Sequence, residues 1–261
     1  KARRSSDVTV TLVDRHRHTT MIPSLPDVAG GRIPSPYLTE GIEKLLSPHV
    51  RFVLSEIKRV DLAERVVTTD AGHVPYDFLI IATGSVTNFY GFHQHLDKIH
   101  QLDTLDDATR IAGDFTAYLH QTTTPEAVIV GGGYTGMELA CNLRCAASKQ
   151  GRDCKISVVE VKETILPGIP ATIRGHIQKE CIKKNIELLT NRSVSSFDGV
   201  NAVLSDGTRK DGVFLCWSAG TKCGLDVAGN CRRVVDERII VDDCLRIPEH
   251  PEADRKSTRL N

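Results

Sequence analysis

The amino-acid sequence predicts an α/β fold in which strands alternate with helices. An apolar run at 127–130 leads into a glycine-rich turn and then into a segment of helix-forming residues. A second apolar, β-branched run follows at 155–159. This order of strand, turn, helix and strand is a βαβ unit, whose two strands lie parallel to each other.

The glycine-rich turn predicts a dinucleotide site, because its three spaced glycines form the pattern GxGxxG directly after a strand. The first glycine allows a tight turn, the second lets the backbone approach a pyrophosphate, and the third lets the helix pack closely on its strand. The helix then points its unpaired N–H groups at the phosphates. A plain βαβ turn is the alternative interpretation. The predicted nucleotide-binding residues are Gly131, Gly132, Gly133, Tyr134, Thr135 and Gly136.

The acid at the end of the second strand indicates which nucleotide binds. Glu160 follows this strand and is placed to bond the hydroxyls of the adenosine ribose. A carboxylate there repels a 2′-phosphate, and the neighbours Val161 and Lys162 include no arginine that would accept one. The sequence therefore favours NAD(H) over NADP(H).

A second half-site is predicted near the chain start, where the alternating run Val8–Val13 ends in Asp14. A solvated strand-end carboxylate explains Asp14 equally well by itself. The segment YDFLIIATGS favours the nucleotide interpretation, because a predicted buried strand, Phe78–Ile81, runs into three small residues that let the backbone approach a flat cofactor. Since no glycine turn precedes Asp14, we expect that a strand–GxGxxG–helix unit of about 25–30 residues has been lost before Lys1.

These motifs resemble the pyridine nucleotide oxidoreductases, flavoproteins with two dinucleotide-binding domains. In that family an ATG turn like Ala82-Thr83-Gly84 closes the FAD domain and leads into the NAD domain, and the segment FLCWSAG at 214–220 resembles the return crossing. The likeness is closest to the type II NADH dehydrogenases. Their loop after the acid resembles residues 18–31, and their tryptophan-bearing turn resembles residues 217–220, although Met21 replaces an aromatic residue usual in that loop.

The resemblance implies two Rossmann-like dinucleotide-binding domains, with the NAD domain inserted into an FAD domain that is truncated at both ends. The expected boundaries are 1–103 for the first part of the FAD domain, 104–221 for the NAD domain and 222–253 for the return segment. The tail 254–261, DRKSTRLN, is polar and shows no strand character, so we expect it to be foreign to the fold.

The resemblance also implies the cofactors FAD and NAD(H), and it assigns further residues to them. Ala219 and Gly220 join the NAD site. Glu138 matches the family's glutamate near the nicotinamide and is the candidate catalytic residue; alternatively, it only complements the helix dipole from the first turn. The implied FAD-binding residues are Asp14, Arg15, Pro23, Ala82, Thr83 and Gly84.

The function expected from the resemblance is transfer of a hydride from NADH to flavin and of electrons to a small-molecule acceptor, expected to be a quinone. Two alternatives stay open: a soluble NADH reductase of the same superfamily with a protein or small carrier as acceptor, and a non-catalytic NADH-binding module. We expect a cytoplasmic protein or one on the cytoplasmic membrane face, with membrane-surface association and a homodimer as further possibilities. The resemblance implies two turns that hold FAD, a first GxGxxG and a C-terminal Gly-Asp turn, and neither is found in this sequence. This chain by itself is therefore expected to be inactive and to lack bound FAD.

Composition excludes several other classes. Lys+Arg and Asp+Glu both total 33, so no basic face favours nucleic acid. The apolar runs are far shorter than the ~18 residues that a membrane span needs. The eight cysteines include no CxxC pair, so neither a redox dithiol nor a metal site is predicted. Trp217, the single tryptophan, is predicted to be a core residue.

Periodicity predicts the remaining elements. Helices are expected at 104–120, at 170–184 and at the end of the stretch 32–46, and strands at 186–189 and 201–204. The runs 50–57 and 65–69 are predicted as strands of a small meander. Residues 222–238 are expected to form a loop, and 239–241 a strand that rejoins the FAD sheet.

Overall fold

The structure is a computed structural model that describes residues 8–229, 231–232 and 238–255. The chain forms two compact units. The first contains the described residues of 1–19, 39–86 and 221–261, and the second contains residues 20–38 and 87–220. The predicted domain boundaries near 103 and 221 remain predictions, because a compact unit need not coincide with a cofactor-binding domain.

The helices of the described residues are α1 Leu25–Ala29, α2 Ile42–Leu45, α3 Leu105–Gln121, α4 Tyr134–Lys149 and α5 Ala171–Lys183. Short 3₁₀ turns occur at Ile22–Ser24, Ser35–Leu38 and Leu96–Lys98. The helix expected near 32–46 is therefore only the short α2, which follows a 3₁₀ turn and a strand.

The strands of the described residues, in chain order, are β1 Val10–Asp14, β2 His18–Thr20, β3 Thr39–Gly41, β4 Val50–Leu54, β5 Ile57–Asp61, β6 Val66–Thr69, β7 Gly72–Pro75, β8 Leu79–Ile81, β9 Val86–Thr87, β10 His100–Gln101, β11 Glu126–Val130, β12 Lys155–Glu160, β13 Ile186–Thr190, β14 Val194–Phe197, β15 Ala202–Leu204, β16 Arg209–Lys210, β17 Val213–Trp217, β18 Thr221–Lys222, β19 Asp226–Ala228, β20 Arg246–Ile247 and β21 His250–Arg255.

The second unit is built on a five-stranded parallel sheet in the order β10-β17-β11-β12-β13. Side chains from one face of the sheet, such as Ile129 and Phe214, pack with α1, α3, α4 and α5. Those from the other face, such as Val128 and Leu215, pack with the antiparallel strands β14 and β15. Both faces of the sheet are covered, which explains why its strands are continuous apolar runs.

Helix α3 begins where the sequence predicts. Thr104 is its N-cap, and its hydroxyl accepts a hydrogen bond from the Asp107 backbone N–H at 3.1 Å. The Asp107 carboxylate accepts from the Thr104 N–H at 2.9 Å, which completes a capping box. The apolar face that the sequence predicts is buried, with Ile111 and Phe115 at 0% and 1% exposure.

The described residues of the first unit include three small sheets. Strands β1 and β4 form a parallel pair, β19-β5-β6-β7 form a four-stranded sheet, and β20-β21-β8 form a three-stranded sheet. A separate apolar cluster lies here, formed by residues such as Val60, Leu62 and Ile247. The predicted meander exists, but as β5, β6 and β7.

The prediction of one strand over 50–57 is wrong, because the run divides into β4 and β5. β4 pairs in parallel with β1, whereas β5 opens the antiparallel meander. Ser55 marks the break, since its backbone N–H donates to the carbonyl of Asp14 at 2.9 Å and its hydroxyl accepts from the Ala71 N–H at 3.0 Å.

The prediction of a buried strand over 78–81 is also wrong. The strand is β8, and it pairs with β21. Ile81 is buried at 5%, but Phe78 and Ile80 are 83% and 70% exposed. Because strand side chains alternate between two faces, Ile80 lies on the face opposite to the core that holds Ile81.

The segment after residue 221 holds more strand than the sequence predicts. β18 ends at Lys222, the first residue of the expected loop 222–238, and β19 lies within that loop and pairs with β5. The expected strand at 239–241 is reduced to a single bridging residue, Ile239. Strand character also continues past Ala253, because β21 includes Asp254 and Arg255 and pairs with β8. The rest of the tail, 256–261, lies outside the described residues.

A buried charge network ties four strands of the second unit together. The Lys210 ammonium group is 8% exposed and lies 2.8 Å from Glu126 Oε1 and 2.9 Å from Glu187 Oε2. The Ser157 hydroxyl bridges the same two carboxylates at 2.8 and 3.0 Å. Burial by itself raises the pKa of the Glu187 carboxyl, but hydrogen bonds from Lys155, Lys210 and Ser157 outweigh it and lower this pKa from 4.5 to about 2.

We expect this network to make the second unit sensitive to acid. The folded pKa of Glu187 lies below its unfolded value, so its stabilisation is complete above pH 4.5 and is lost as the pH falls towards 2. Glu187→Gln should therefore lower the free energy of unfolding at neutral pH and reduce its decline between pH 4.5 and 2. Urea unfolding at a series of pH values measures both effects. The exposed Glu163→Gln serves as control, and an equal decline in all three proteins would contradict the expectation.

Candidate functional site

The glycine turn after β11 is held against the end of β17. Gly131 has a φ of +108°, and a Cβ on it would lie 2.8 Å from the backbone nitrogen of Ala219. Its N–H donates to the carbonyl of Val159 at 2.8 Å. Both the backbone angle and the close approach exclude a side chain at this position.

Gly136 allows α4 to start directly over the turn. A Cβ on Gly136 would overlap the carbonyl oxygen of Gly131 and would lie 2.7 Å from the Ser218 hydroxyl oxygen. That hydroxyl donates to the carbonyl of Val130 at 3.0 Å. The three elements β11, α4 and β17 are thus in backbone contact at one point.

The N-terminus of α4 has the properties of an anion cradle. Its N-cap, Gly133, gives no side-chain cap, and the first turn holds no acidic residue. A Cβ on Gly133 would meet no atom within 4 Å, and Tyr134 and Thr135 beside it are exposed. The free space over uncapped N–H groups therefore fits a phosphate-bearing cofactor such as NAD.

Glu160 lies at the rim of this cradle with its carboxylate fixed. One carboxylate oxygen accepts from the Gly132 N–H at 2.7 Å, and the other accepts from the Lys162 N–H at 2.9 Å. The residue is 9% exposed. Since its own backbone is held in β12, Glu160 links the glycine turn to the end of the neighbouring strand.

The end of β17 carries the remaining predicted NAD residues. Trp217 is 5% exposed, which confirms the prediction of a core residue, and its Nε1–H donates to the carbonyls of Asn88 and Ala219 at 3.1 and 3.2 Å. Gly220 has a φ of +67°, and a Cβ there would collide with the ring of Tyr90. Ala219 and Gly220 therefore follow a rigid, aromatic-packed strand end next to the Gly131 turn.

Glu138 lies one turn further along α4 than the sequence suggested. The helix begins at Tyr134, so Glu138 is its fifth residue and not part of the first turn. The first-turn interpretation is therefore wrong, and an interaction with the helix dipole weakens because it falls off after that turn. Partial desolvation of the Glu138 carboxyl, and after it the negative charge of Asp27, raises the pKa of this group.

Sequence reasoning missed the polar contact that holds α1 against α4. Asp27 Oδ1 accepts from Asn142 Nδ2 at 3.2 Å and from an Arg32 guanidinium N–H at 3.1 Å. Gly30 at the end of α1 packs so closely that a Cβ would collide with that of Asn142. Asn142 stands one helical turn after Glu138, which brings Asp27 near the catalytic candidate. A separation of 115 residues left no signal in the sequence for this pair.

The predicted FAD residues are divided between the units. Asp14 ends β1, and its carboxylate accepts from the His16 N–H at 2.8 Å. Arg15 follows Asp14 and is exposed. The turn Ala82-Thr83-Gly84 is exposed after β8, and a Cβ on Gly84 would meet nothing within 4 Å, which fits close approach of a flat group. Pro23 is exposed in a 3₁₀ turn and belongs to the second unit.

Comparison with known families identifies the class of this protein. The family model described as pyridine nucleotide-disulphide oxidoreductase matches residues 1–251. Because the match spans nearly the whole sequence, the chain belongs to the pyridine nucleotide-disulphide oxidoreductase family. The resemblance stated from the sequence motifs is therefore confirmed at the level of the family.

The curated relatives include several NADH:quinone oxidoreductases. The type II enzyme NdhA of Mycobacterium tuberculosis is 25% identical, and the alignment covers 96% of this chain and 61% of that protein. The type II enzyme of Haemophilus influenzae is 24% identical, with coverages of 85% and 60%. The chain thus spans less than two thirds of the length of these relatives.

Solved structures share the fold. NDH2 from Plasmodium falciparum in complex with NADH superposes with a TM-score of 0.83 at 23% identity, over 94% of this chain and 58% of that one. The sulfide:quinone oxidoreductase from Aquifex aeolicus gives a TM-score of 0.83 at 18% identity, over 95% and 62%. The predicted α/β fold with two Rossmann-like domains is confirmed by these likenesses.

The described residues contain neither a long apolar helix nor a cluster of metal-ligating side chains. None of their helices is long and apolar enough to cross a membrane. No group of three or more His, Cys, Asp or Glu side chains in the same part of the chain is arranged to hold a metal ion. All eight cysteines carry free thiols.

Two glycine-to-alanine substitutions distinguish a glycine required for packing from a glycine that leaves room for a ligand. Gly136→Ala should lower the free energy of unfolding by about 1–3 kcal/mol, because the methyl group overlaps the Gly131 carbonyl. Gly133→Ala should leave it within about 0.5 kcal/mol, since the methyl group enters open space. Thermal and urea unfolding of the two variants provide the comparison. Equal stability of the two variants would disprove the assigned packing role of Gly136.

Proposed function

We propose that this chain is part of an FAD-dependent oxidoreductase that takes a hydride from NADH and passes electrons to a quinone. Membership of the family and the similarity to type II NADH:quinone oxidoreductases support this proposal. The observation that carries it is the uncapped N-terminus of α4 over the open space at Gly133. A backbone cradle of this kind is selective for phosphate-bearing ligands because it combines N–H donors with the helix dipole.

Different residues of the cradle bind different parts of NADH. The N–H groups of the first turn of α4 receive the pyrophosphate, and Gly133 leaves room for it. Glu160 bonds the ribose hydroxyls with the lone pairs that Gly132 and Lys162 leave free, since each carboxylate oxygen can accept more than one hydrogen bond. Its negative charge disfavours the additional phosphate of NADPH.

Residues of the first unit hold FAD in this proposal. Asp14 and Arg15 bind the ribose side of the nucleotide, and the exposed backbone of Ala82–Gly84 contacts the flat part of the cofactor. Bound flavin supplies the hydride acceptance and the electron transfer to the acceptor. The protein supplies the geometry and keeps both cofactors oriented.

The finer assignments belong to the same proposal. The acceptor is a quinone, as the names of the relatives suggest for those proteins. We further propose a location on the cytoplasmic membrane face or in the cytoplasm, contact with the membrane surface through a C-terminal part, and assembly as a homodimer. A soluble NADH reductase with another acceptor is the alternative, and assays with water-soluble quinones against other acceptors distinguish the two.

NADH binding tests the cradle directly. Isothermal titration of this chain should show binding of NADH in preference to NADPH, because Glu160 opposes the 2′-phosphate. Gly133→Ala should weaken NADH binding about tenfold, since the methyl group takes the space of the pyrophosphate. Gly175→Ala on α5, which also enters open space, is the matched control and should bind like the parent. Equal affinity of both variants would refute the location of the site.

Glu138→Gln tests the candidate catalytic residue. We expect hydride transfer from NADH to flavin to slow about tenfold to a hundredfold, because the variant loses the carboxylate while keeping its size. The thermal unfolding midpoint should not change, since Glu138 is exposed on the helix surface. Stopped-flow bleaching of the flavin measures the rate, in the longer FAD-loaded protein of which this chain is proposed to be part. A parent-like rate at normal stability would remove Glu138 from the mechanism.

A further inference from the structure

A second concave site lies at the C-terminal end of α4, away from the nucleotide cradle. It has a volume of about 460 Å³, in the range of small-molecule sites. The 16 residues of α4 put about 24 Å between the two helix ends. The residues that line this basic pocket are Arg144, Cys145, Ser148, Lys149, Lys183 and Lys184.

Four of the six lining residues are cations, in a chain whose formal net charge is zero. Their concentration is therefore local and does not reflect a basic protein. Lys149 and Lys183 are the last residues of α4 and α5, where a cation also complements the helix dipole. The interaction with the helix dipole explains one cation at each helix end. It explains neither the pocket nor the other two cations, Arg144 and Lys184.

Arg144 fixes the shape of the pocket. Its Nε–H donates to the carbonyl of Lys184 at 2.8 Å, which joins the middle of α4 to the end of α5. One terminal nitrogen pairs with Asp153 at 3.1 Å. The other, Nη1, is buried and has no hydrogen-bond partner among the described residues. Arg144 therefore shapes the wall of the pocket, and its buried Nη1 is not among the donors that a ligand in the pocket can reach.

The acids nearby neutralise only part of the charge. Lys183 pairs with Glu180 at 2.6 Å, and Arg144 pairs with Asp153. Lys149 and Lys184 have no ion-pair partner within the part of the chain that the structure describes. Two ammonium groups and the Ser148 hydroxyl thus line one pocket. This set of donors matches an anion with several oxygens on more than one centre.

We propose that the basic pocket binds an anion that carries two or more phosphate groups. A single phosphate would leave much of the 460 Å³ pocket unfilled, whereas a linked pair offers separate phosphates to Lys149, the last residue of α4, and to Lys184, directly after α5. The ligand chemistry is shared by soluble phosphorylated compounds and by anionic lipid headgroups. The site is independent of the proposed oxidoreductase function, because it lies at the opposite end of α4.

Titration with inorganic pyrophosphate, monitored by the NMR shifts of backbone amides, shows where on the chain the anion binds. We expect saturable shifts at Ser148 and Lys184, with an affinity that falls as salt rises. The double variant Lys149→Gln/Lys184→Gln should weaken this binding about tenfold, and thermal unfolding checks that it folds. The control Lys98→Gln/Lys179→Gln removes the same charge elsewhere on this unit and should bind like the parent. Shifts confined to residues 131–136 would show that pyrophosphate binds at the nucleotide cradle and not in the basic pocket. That result would overturn the proposal.

Flotation with lipid vesicles identifies the source of the phosphate. Binding to vesicles that contain cardiolipin, whose headgroup carries two phosphates, but not to phosphatidylcholine vesicles, lost in the Lys149/Lys184 variant, supports a lipid headgroup. Pyrophosphate binding without flotation supports a soluble phosphorylated ligand. Neither pyrophosphate shifts nor flotation, or equal binding by the test and control variants, contradicts the proposal. NADH binding is measured separately, so failure of the proposed oxidoreductase function would not change the interpretation of these experiments.

Discussion

The backbone contact between Gly136 and the carbonyl of Gly131 is the constraint on which the nucleotide cradle depends. It brings the first turn of α4 directly onto the end of β11, while Ala219 on the end of β17 closes against Gly131 from the other side. Three elements can meet this closely only where no side chain intervenes. Their meeting point fixes where the free N–H groups of α4 point, and thus where an anion can bind.

The parallel sheet gives this contact its rigidity. Its strands are buried by helices on one face and by antiparallel strands on the other, so the strand ends that carry the cradle cannot shift independently. Glu160 adds a second link, because its carboxylate ties the Gly132 N–H to the end of β12. The same sheet carries the Lys210 charge network, whose carboxylates come from β11 and β13.

Local signals explain why much of the second unit could be predicted. The Thr104 capping box, the GxGxxG spacing and the continuous apolar runs each depend on residues close in sequence. The errors fall where distant residues decide the outcome. The run 78–81 has the composition of a buried strand, yet Ile80 is exposed because burial depends on which layer covers each face. Likewise, the division of 50–57 follows from two different pairing partners, β1 and β6.

The sequence by itself determined the βαβ unit, the glycine turn and the acid at Glu160, since strand, turn and cap propensities act over a few residues. Only the tertiary structure decided that Asp27 lies beside Asn142, that Glu138 stands beyond the first turn of α4, and that Arg144 joins α4 to α5 in a basic pocket. These depend on packing between segments far apart along the chain. The spacing of apolar residues along the sequence does not predict such contacts, because they form only when the helices pack together.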